Sequence, residues 1–246
     1  LMYYDENHSS PDQENIEESS RRSLCVSSQV GCALGCVFCT TGQMGFKRNL
    51  HRGEIIEQVL FVERKLRLLG KRLTHITFMG MGEPFHNYNE VISAIETLNH
   101  PEGMNFGARR FTISTVGIVP MIRRFTSEQR QINLAVSLHA ADNELRSQLL
   151  PFNRKYPLEE LMDACREYVQ KTRRRITFEW ALIQDVNDQV SQARKLGELL
   201  RGILCHINLI PLNPSVDYPG CGSSPERVSL FQSELLRLGF SCTVRL

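Results

Sequence analysis

Four of the eight cysteines fall within fifteen residues: Cys25, Cys32, Cys36 and Cys39. The inner three form Cys32-x3-Cys36-x2-Cys39, inside Gly31-Cys32-Ala33-Leu34-Gly35-Cys36-Val37-Phe38-Cys39. Thiolates are the usual ligands of iron–sulfur clusters, so three on one short loop can hold three irons of a [4Fe-4S] cluster. The remaining iron is then open, and an open metal site can chelate a substrate. Val37 and Phe38 would keep such a cluster dry, which tunes its potential. Two other readings stand beside this one. Zinc with Cys25 as fourth ligand gives C-x6-C-x3-C-x2-C, a spacing without the paired short knuckles zinc prefers. Buried thiols with no metal are the other. Cys165, Cys205, Cys221 and Cys242 are scattered, and nothing suggests a secreted disulfide framework.

A second group of residues could hold a small molecule. Gly80-Met81-Gly82-Glu83-Pro84 interrupts an apolar run. Glycines let a ligand approach the backbone, Pro84 forces Glu83 to be extended, and the carboxylate suits an ammonium group. Polar residues close three further apolar runs: Ser114 in Ile113-Ser114-Thr115, then Ser137-Leu138-His139, then Asn213 in Ile210-Pro211-Leu212-Asn213. Hydroxyls and an amide can bond ribose, carboxylate or a base edge.

Periodicity supplies the elements that must position them. Short β-rich runs at Leu24–Ser27, Thr74–Met79, Arg110–Thr115, Ile132–Leu138, Ile176–Ile183 and His206–Ile210 alternate with longer helical periods. The helices are expected at Gly53–Leu69, Asn89–Leu98, Val119–Phe125, Leu158–Lys171, Val190–Leu200 and Pro225–Leu238, with a final strand at Ser241–Leu246. Repeated βα units give a parallel sheet covered by helices. The expected fold is α/β, a partial (β/α) TIM-like barrel with about six parallel strands and outer helices. Active sites of such barrels lie at the C-terminal strand ends, where the cysteine loop and every polar group above fall.

The chain has 246 residues and ordinary apolar and charged fractions, 41% and 23%. It has no apolar run long enough for a membrane span and no signal or transit peptide, so a reducing, cytoplasmic setting is expected. Residues 1–20 carry six acids and no Lys or Arg, so the remainder holds 29 basic against 21 acidic residues, a surplus of eight. A body of that charge could meet a polyanion. Residues 1–21 are expected to be linker and 22–246 one core domain. Leu1 is not an initiator Met and the last strand stops without a turn, so the chain reads as a piece of a longer protein.

Cys-x3-Cys-x2-Cys after the first strand resembles the radical S-adenosylmethionine (SAM) superfamily. The wider stretch from Arg22-Ser-Leu-Cys25-Val-Ser-Ser-Gln-Val-Gly-Cys32 to Cys39-Thr-Thr-Gly42 resembles the RlmN/Cfr family, and the likeness runs over nearly all of residues 22–246. Overall likeness favours the RlmN branch over the Cfr branch. The resemblance implies a radical SAM barrel and methylation of C2 of an adenine in 23S rRNA, and of an adenine in tRNA. It implies Cys32, Cys36 and Cys39 as cluster ligands, and Gly82, Glu83, Ser114, Ser137, Leu138, His139 and Asn213 as the lining of the SAM site. It also implies a methyl group carried on one cysteine, a protein–RNA adduct, and a second cysteine that resolves it by forming a disulfide. Cys25 matches that second cysteine. The methyl-carrying cysteine, an acid before Leu1 and an RNA-binding accessory domain are expected outside this stretch, which alone should bind cluster and SAM without methylating RNA. A flavodoxin or ferredoxin system is the implied electron donor and a monomer the implied state.

Topology sorts the basic pairs. Arg109-Arg110, Arg173–Arg175 and Lys71-Arg72 precede strands and read as solvated charge on the far face. Lys47, Arg48, Arg146, Arg154 and Lys155 follow strands, so they are the expected phosphate contacts. Phe46 beside them is expected to pack rather than to stack a base.

Overall fold

A computed structural model of the chain describes residues 2–4, 21–215 and 218–245. The first elements are β1 (Met2–Tyr4), β2 (Arg21–Cys25), β3 (Gln29–Val30), α1 (Thr40–Gln43), β4 (Arg48–Asn49), α2 (Arg52–Leu68), β5 (His75–Phe78) and α3 (Tyr88–Asn99). Next come β6 (Phe111–Thr115), α4 (Val119–Ser127), β7 (Asn133–Ser137), α5 (Asn143–Leu149) and α6 (Leu158–Thr172). The chain continues through β8 (Ile176–Leu182), α7 (Val190–Leu199), β9 (Cys205–Pro211), α8 (Pro225–Arg237) and β10 (Cys242–Val244).

Seven strands, β2-β5-β6-β7-β8-β9-β10 in that order, form one parallel sheet. Strand side chains alternate between faces, and here the faces differ in chemistry. Ile76, Phe78, Ile113, Leu134, Val136, Phe178, Trp180, Ile207 and Leu209 are buried in the core. Their strand neighbours Thr77, Thr112, Thr177, Glu179, His206, Asn208 and Thr243 line a single interior cavity of about 640 Å3. Residues from β5 through β10 reach one cavity because the sheet curls into a half-barrel. No helix among the described residues is long and apolar enough to cross a membrane.

The expected architecture holds, with seven parallel strands in place of about six. The interval expected to be linker begins with a strand: β1 pairs antiparallel with β2, Met2 opposite Ser23. Arg21, the last residue of that interval, opens β2, and residues 1 and 5–20 lie outside the described residues. The β3–β4 ribbon, α1 and α5 have no counterpart in the periodicity. Each is too short to show a period, and α5 depends on its cap, where the Asp142 carboxylate accepts the Leu145 N–H.

Candidate active site

The cysteine loop begins after β2 and is closed at its base by the β3–β4 ribbon. Gly31 has φ +75°, and a Cβ there would lie 1.8 Å from the Gly45 carbonyl oxygen, so only glycine lets the two backbones meet. The Cys32 N–H donates to that carbonyl at 3.2 Å. The Cys39 N–H donates to the Cys36 carbonyl at 3.1 Å, and α1 starts at the next residue. Cys32, Cys36 and Cys39 line one cavity of about 250 Å3 at the C-terminal ends of the strands. Burial pushes the Cys36 thiol up to about 12 and raises that of Cys32. Phe38 borders the same cavity and meets the His139 ring edge-on at 5.1 Å.

Cys25 is elsewhere. It is half-buried on β2, in register with Thr77, with Sγ 3.3 Å from Thr77 Oγ1. Cys25 does not line the cavity that the other three share, which does not favour the zinc arrangement with Cys25 as fourth ligand. Among the described residues no three His, Cys, Asp or Glu side chains are grouped to hold one metal ion. All eight cysteines are free thiols.

The glycine-rich turn follows β5. The expectation that its glycines admit a ligand needs amending, because their nearest neighbours belong to the chain. A Cβ on Gly80 would meet Val26 backbone at 2.8 Å, and one on Gly82 (φ +98°) would meet the Gln29 side chain at 2.5 Å. Gln29 Oε1 accepts the Glu83 N–H at 2.8 Å, while its Nε2 donates to Asn49 at 2.7 Å. Asn87 donates to the Ser28 and Leu50 carbonyls. These bonds lock the turn to the base of the cysteine loop. The Glu83 carboxylate accepts the Val116 N–H at 2.8 Å and the Phe85 N–H at 3.0 Å, and burial raises it to about 7. Gly82 and Glu83 both line the cavity.

Ser114, Ser137 and His139 also line it. His139 has a left-handed backbone, φ +58°, and its Nδ1 accepts the Ala181 N–H at 2.9 Å. The proton is thereby placed on Nε2. Burial, with Arg146 nearby, lowers its pKa to about 3. Two residues of the expected lining stand apart. Leu138 is fully buried outside the cavity wall, its N–H donating to the Glu179 carbonyl and its carbonyl accepting from Arg146. Asn213 is exposed and outside the wall, three residues beyond Ile210, which does line it.

Arg146 is a correction. It was expected to touch RNA phosphates but is 1% exposed. Its guanidinium donates to the carbonyls of Leu138, Val116 and Ser137 and to Asn153 Oδ1, at 2.6 to 3.1 Å. It ties together the strand ends that carry Ser137 and His139. Lying nine residues after β7 does not decide exposure; the short helix α5 turns it inward. Arg48 is exposed but held bidentately by Glu54, both bonds 2.8 Å. Lys47, Arg154 and Lys155 are exposed. Phe46 is 46% exposed and does not pack as expected.

Sequence reasoning missed Glu179. It is buried on β8, borders both cavities together with Met79, and accepts the Asn208 amide N–H at 2.8 Å. Thr243 Oγ1 donates to Asn208 Oδ1 at 2.9 Å, which fixes the orientation of that amide. The available signal was a charged residue in the largely apolar strand Ile176–Leu182. Missed as well was the far face: Arg109 and Arg173–Arg175, read as solvated charge, line the mouth of the interior cavity.

A parallel half-barrel with three loop cysteines beyond its first parallel strand has the form of a radical SAM domain. A family model described as the radical SAM superfamily matches residues 26–196. The dual-specificity RNA methyltransferase RlmN 1 of Myxococcus xanthus (strain DK1622) is 52% identical over 225 residues, 92% of this chain and 63% of that protein. The dual-specificity RNA methyltransferase RlmN of Syntrophobacter fumaroxidans (strain DSM 10017 / MPOB) is 52% identical over 94% of this chain and 67% of its own length. The crystal structure of a radical SAM methyltransferase from Sphaerobacter thermophilus has a TM-score of 0.90 at 51% identity, covering 94% of this chain and 67% of that one. The chain belongs to the RlmN family of the radical SAM superfamily. It spans 63% of the length of the Myxococcus relative.

Membership brings a [4Fe-4S] cluster and SAM as cofactors. The residues present fit both. Three free thiols on one wall match a three-ligand cluster with an open iron. Their burial disfavours bare thiolates, and a bound metal reverses that preference. The same cavity offers the hydroxyls of Ser114 and Ser137 and the imidazole of His139.

Proposed function

We propose that this chain is the catalytic core of a dual-specificity RNA methyltransferase acting at C2 of adenine in 23S rRNA and in tRNA. The observation that carries the reading is the cavity shared by Cys32, Cys36, Cys39, Ser114, Ser137 and His139, which borders a cation-rimmed interior through Met79 and Glu179. The relatives' names supply the substrate class. When bound, the cluster and SAM supply the one-electron cleavage that starts radical chemistry.

The chain's own residues have distinct parts in this reading. Cys32, Cys36 and Cys39 hold the cluster. Gly82, Ser114, Ser137 and the Nε2 proton of His139 position SAM, and Leu138 acts only through the backbone it gives Arg146. An ammonium group beside Glu83 would offset the burial cost of its carboxylate. Asn213 would join the site from outside the present wall. Cys25 presents a thiol beside Thr77, an interior residue, and serves as the resolving cysteine. Residues 22–246 act as one core domain. The enzyme works as a monomer in the cytoplasm and takes its electron from a flavodoxin or ferredoxin system.

The test is anaerobic reconstitution with iron and sulfide, then electron paramagnetic resonance of the reduced protein with and without SAM. About four irons per chain and a spectrum that changes on adding SAM are expected. Methyl transfer from the full-length protein to an rRNA fragment, read by mass spectrometry of the adenines, completes it. Absence of iron, or a cluster indifferent to SAM, would overturn the assignment.

A further inference from the structure

The half-barrel has two ends, and four arginines gather at the one away from the cysteines. Arg109 precedes β6, and Arg173, Arg174 and Arg175 precede β8. All four line the mouth of the interior cavity. Arg109, Arg173 and Arg175 are exposed and Arg174 is half-buried. Among the described residues none of the four forms an ion pair, whereas the helix arginines Arg123, Arg124, Arg194 and Arg237 each pair with a glutamate. Neutral groups orient two of the four. Gln131 Oε1 accepts from Arg109 and from Arg174, and Asn133 Oδ1 accepts from Arg174 at 2.7 Å. Their charge is therefore held in place without being cancelled.

Arg173 holds a left-handed backbone, φ +57°, at the end of α6. Glycine is the usual residue at that position, and an arginine there spends stability to carry a side chain to the rim. His206 lines the same cavity, and burial lowers its pKa, with Arg175 and Arg245 adding to it.

The interior behind this rim, about 640 Å3, has the volume of a pocket for one small molecule rather than for a duplex. Its inner end meets the cofactor cavity at Met79 and Glu179. We propose that RNA docks at the N-terminal end of the half-barrel, with its phosphates on Arg109, Arg173, Arg174 and Arg175. One splayed nucleotide then passes through the interior to the cavity beneath the cysteine loop. The inference rests on the RNA reading above and adds the direction of entry, opposite to the one topology alone suggested. Splaying one base out of the stack is how proteins commonly reach single nucleotides in RNA.

The test is the affinity of a fluorescein-labelled RNA hairpin with unpaired loop adenines, followed by anisotropy across a salt series. Arg109→Gln combined with R173G, R174Q and R175Q removes the rim charge. At least a tenfold loss of affinity is expected near 0.1 M salt, with the log–log salt slope smaller by about 3. Lys47→Gln with Lys155→Gln, at the opposite end, should change neither. Thermal midpoint and iron content report whether the fourfold variant is folded. If it is not, Arg173→Gly alone, which relieves the backbone, should still lower affinity and slope. Unchanged binding by the rim variants, or a loss confined to the Lys47/Lys155 variant, would overturn the direction of entry. An unaltered protein that does not bind the hairpin would overturn the RNA reading itself and this proposal with it.

Discussion

His139 accepts the Ala181 N–H on Nδ1 at 2.9 Å, and that bond decides what the imidazole offers the cavity, a single N–H donor on Nε2. Its native pKa of about 3 lies far below the ordinary 6.5. A histidine held neutral in the native state refuses a proton that the unfolded chain takes up. Stability is therefore full above 6.5, falls as pH drops through 6.5, and keeps falling toward 3. His75, His86 and His206 are lowered as well and act in the same direction. Urea midpoints measured from pH 7.5 to 5 should decline, and His139→Asn should flatten part of that decline. A midpoint independent of pH over this range would contradict the assignment.

Arg146 gathers three carbonyls and one side-chain amide around a single buried guanidinium. Replacing it with Met removes the donor from four acceptors, of which the Leu138 carbonyl keeps a second partner, the Ala140 N–H at 2.8 Å. Each buried acceptor left unpaired costs on the order of 1–3 kcal/mol, so a loss of at least about 3 kcal/mol is expected by denaturant titration. Because the bonded carbonyls belong to Val116, Ser137 and Leu138, Arg146→Lys should also weaken the response of the reduced protein's resonance spectrum to SAM. It should do so without lowering iron content.

Two glycines of the cysteine loop should behave differently. Gly31→Ala would drive a Cβ to 1.8 Å from the Gly45 oxygen at φ +75°. Gly35, at φ +64°, has no atom within 4 Å of an added Cβ. Gly35→Ala should cost only the left-handed backbone penalty, about 1–2 kcal/mol, and retain its iron. Gly31→Ala should lose most of it. Equal iron in the two variants would show that the Gly31–Gly45 contact does not shape the loop.

Glu179 is an acid whose pKa burial raises, with Asn208 as its hydrogen-bond donor. A raised acid favours the native state while protonated, and that contribution is lost as pH climbs through the native value. Glu179→Gln should match the parent in thermal midpoint near pH 5 and exceed it near pH 8. A variant less stable at pH 8 than at pH 5, relative to the parent, would mean the carboxylate is better solvated than its position indicates.

Much of this molecule is written in local pattern. The helices from Arg52 to Leu68 and from Leu158 to Thr172 fall within one residue of the periodicity that announces them. The strands His75–Phe78 and Ile176–Leu182 lie within the apolar runs that predict them. Bringing Cys32, Cys36 and Cys39 to one cavity needed only their spacing, because a short loop brings near neighbours together whatever the rest of the chain does. Arg146 and Arg173 mark where this reasoning stops. Both are basic residues near strand ends, and position relative to a strand does not say whether a side chain turns inward, outward or along a rim.

What the sequence alone determined is whatever depends on near neighbours: the βα rhythm, the cysteine loop, the glycine turn and the surplus of positive charge. Only the tertiary structure decided what depends on curvature and register. Curling the sheet turned Thr77, Glu179, Asn208 and Thr243 toward one another across four strands. It separated Cys25 from the other three thiols and set Arg109 beside Arg174, 65 residues apart, on one amide oxygen. The physical reason is that side-chain direction in a strand has a period of two residues, while a half-barrel closes over more than two hundred.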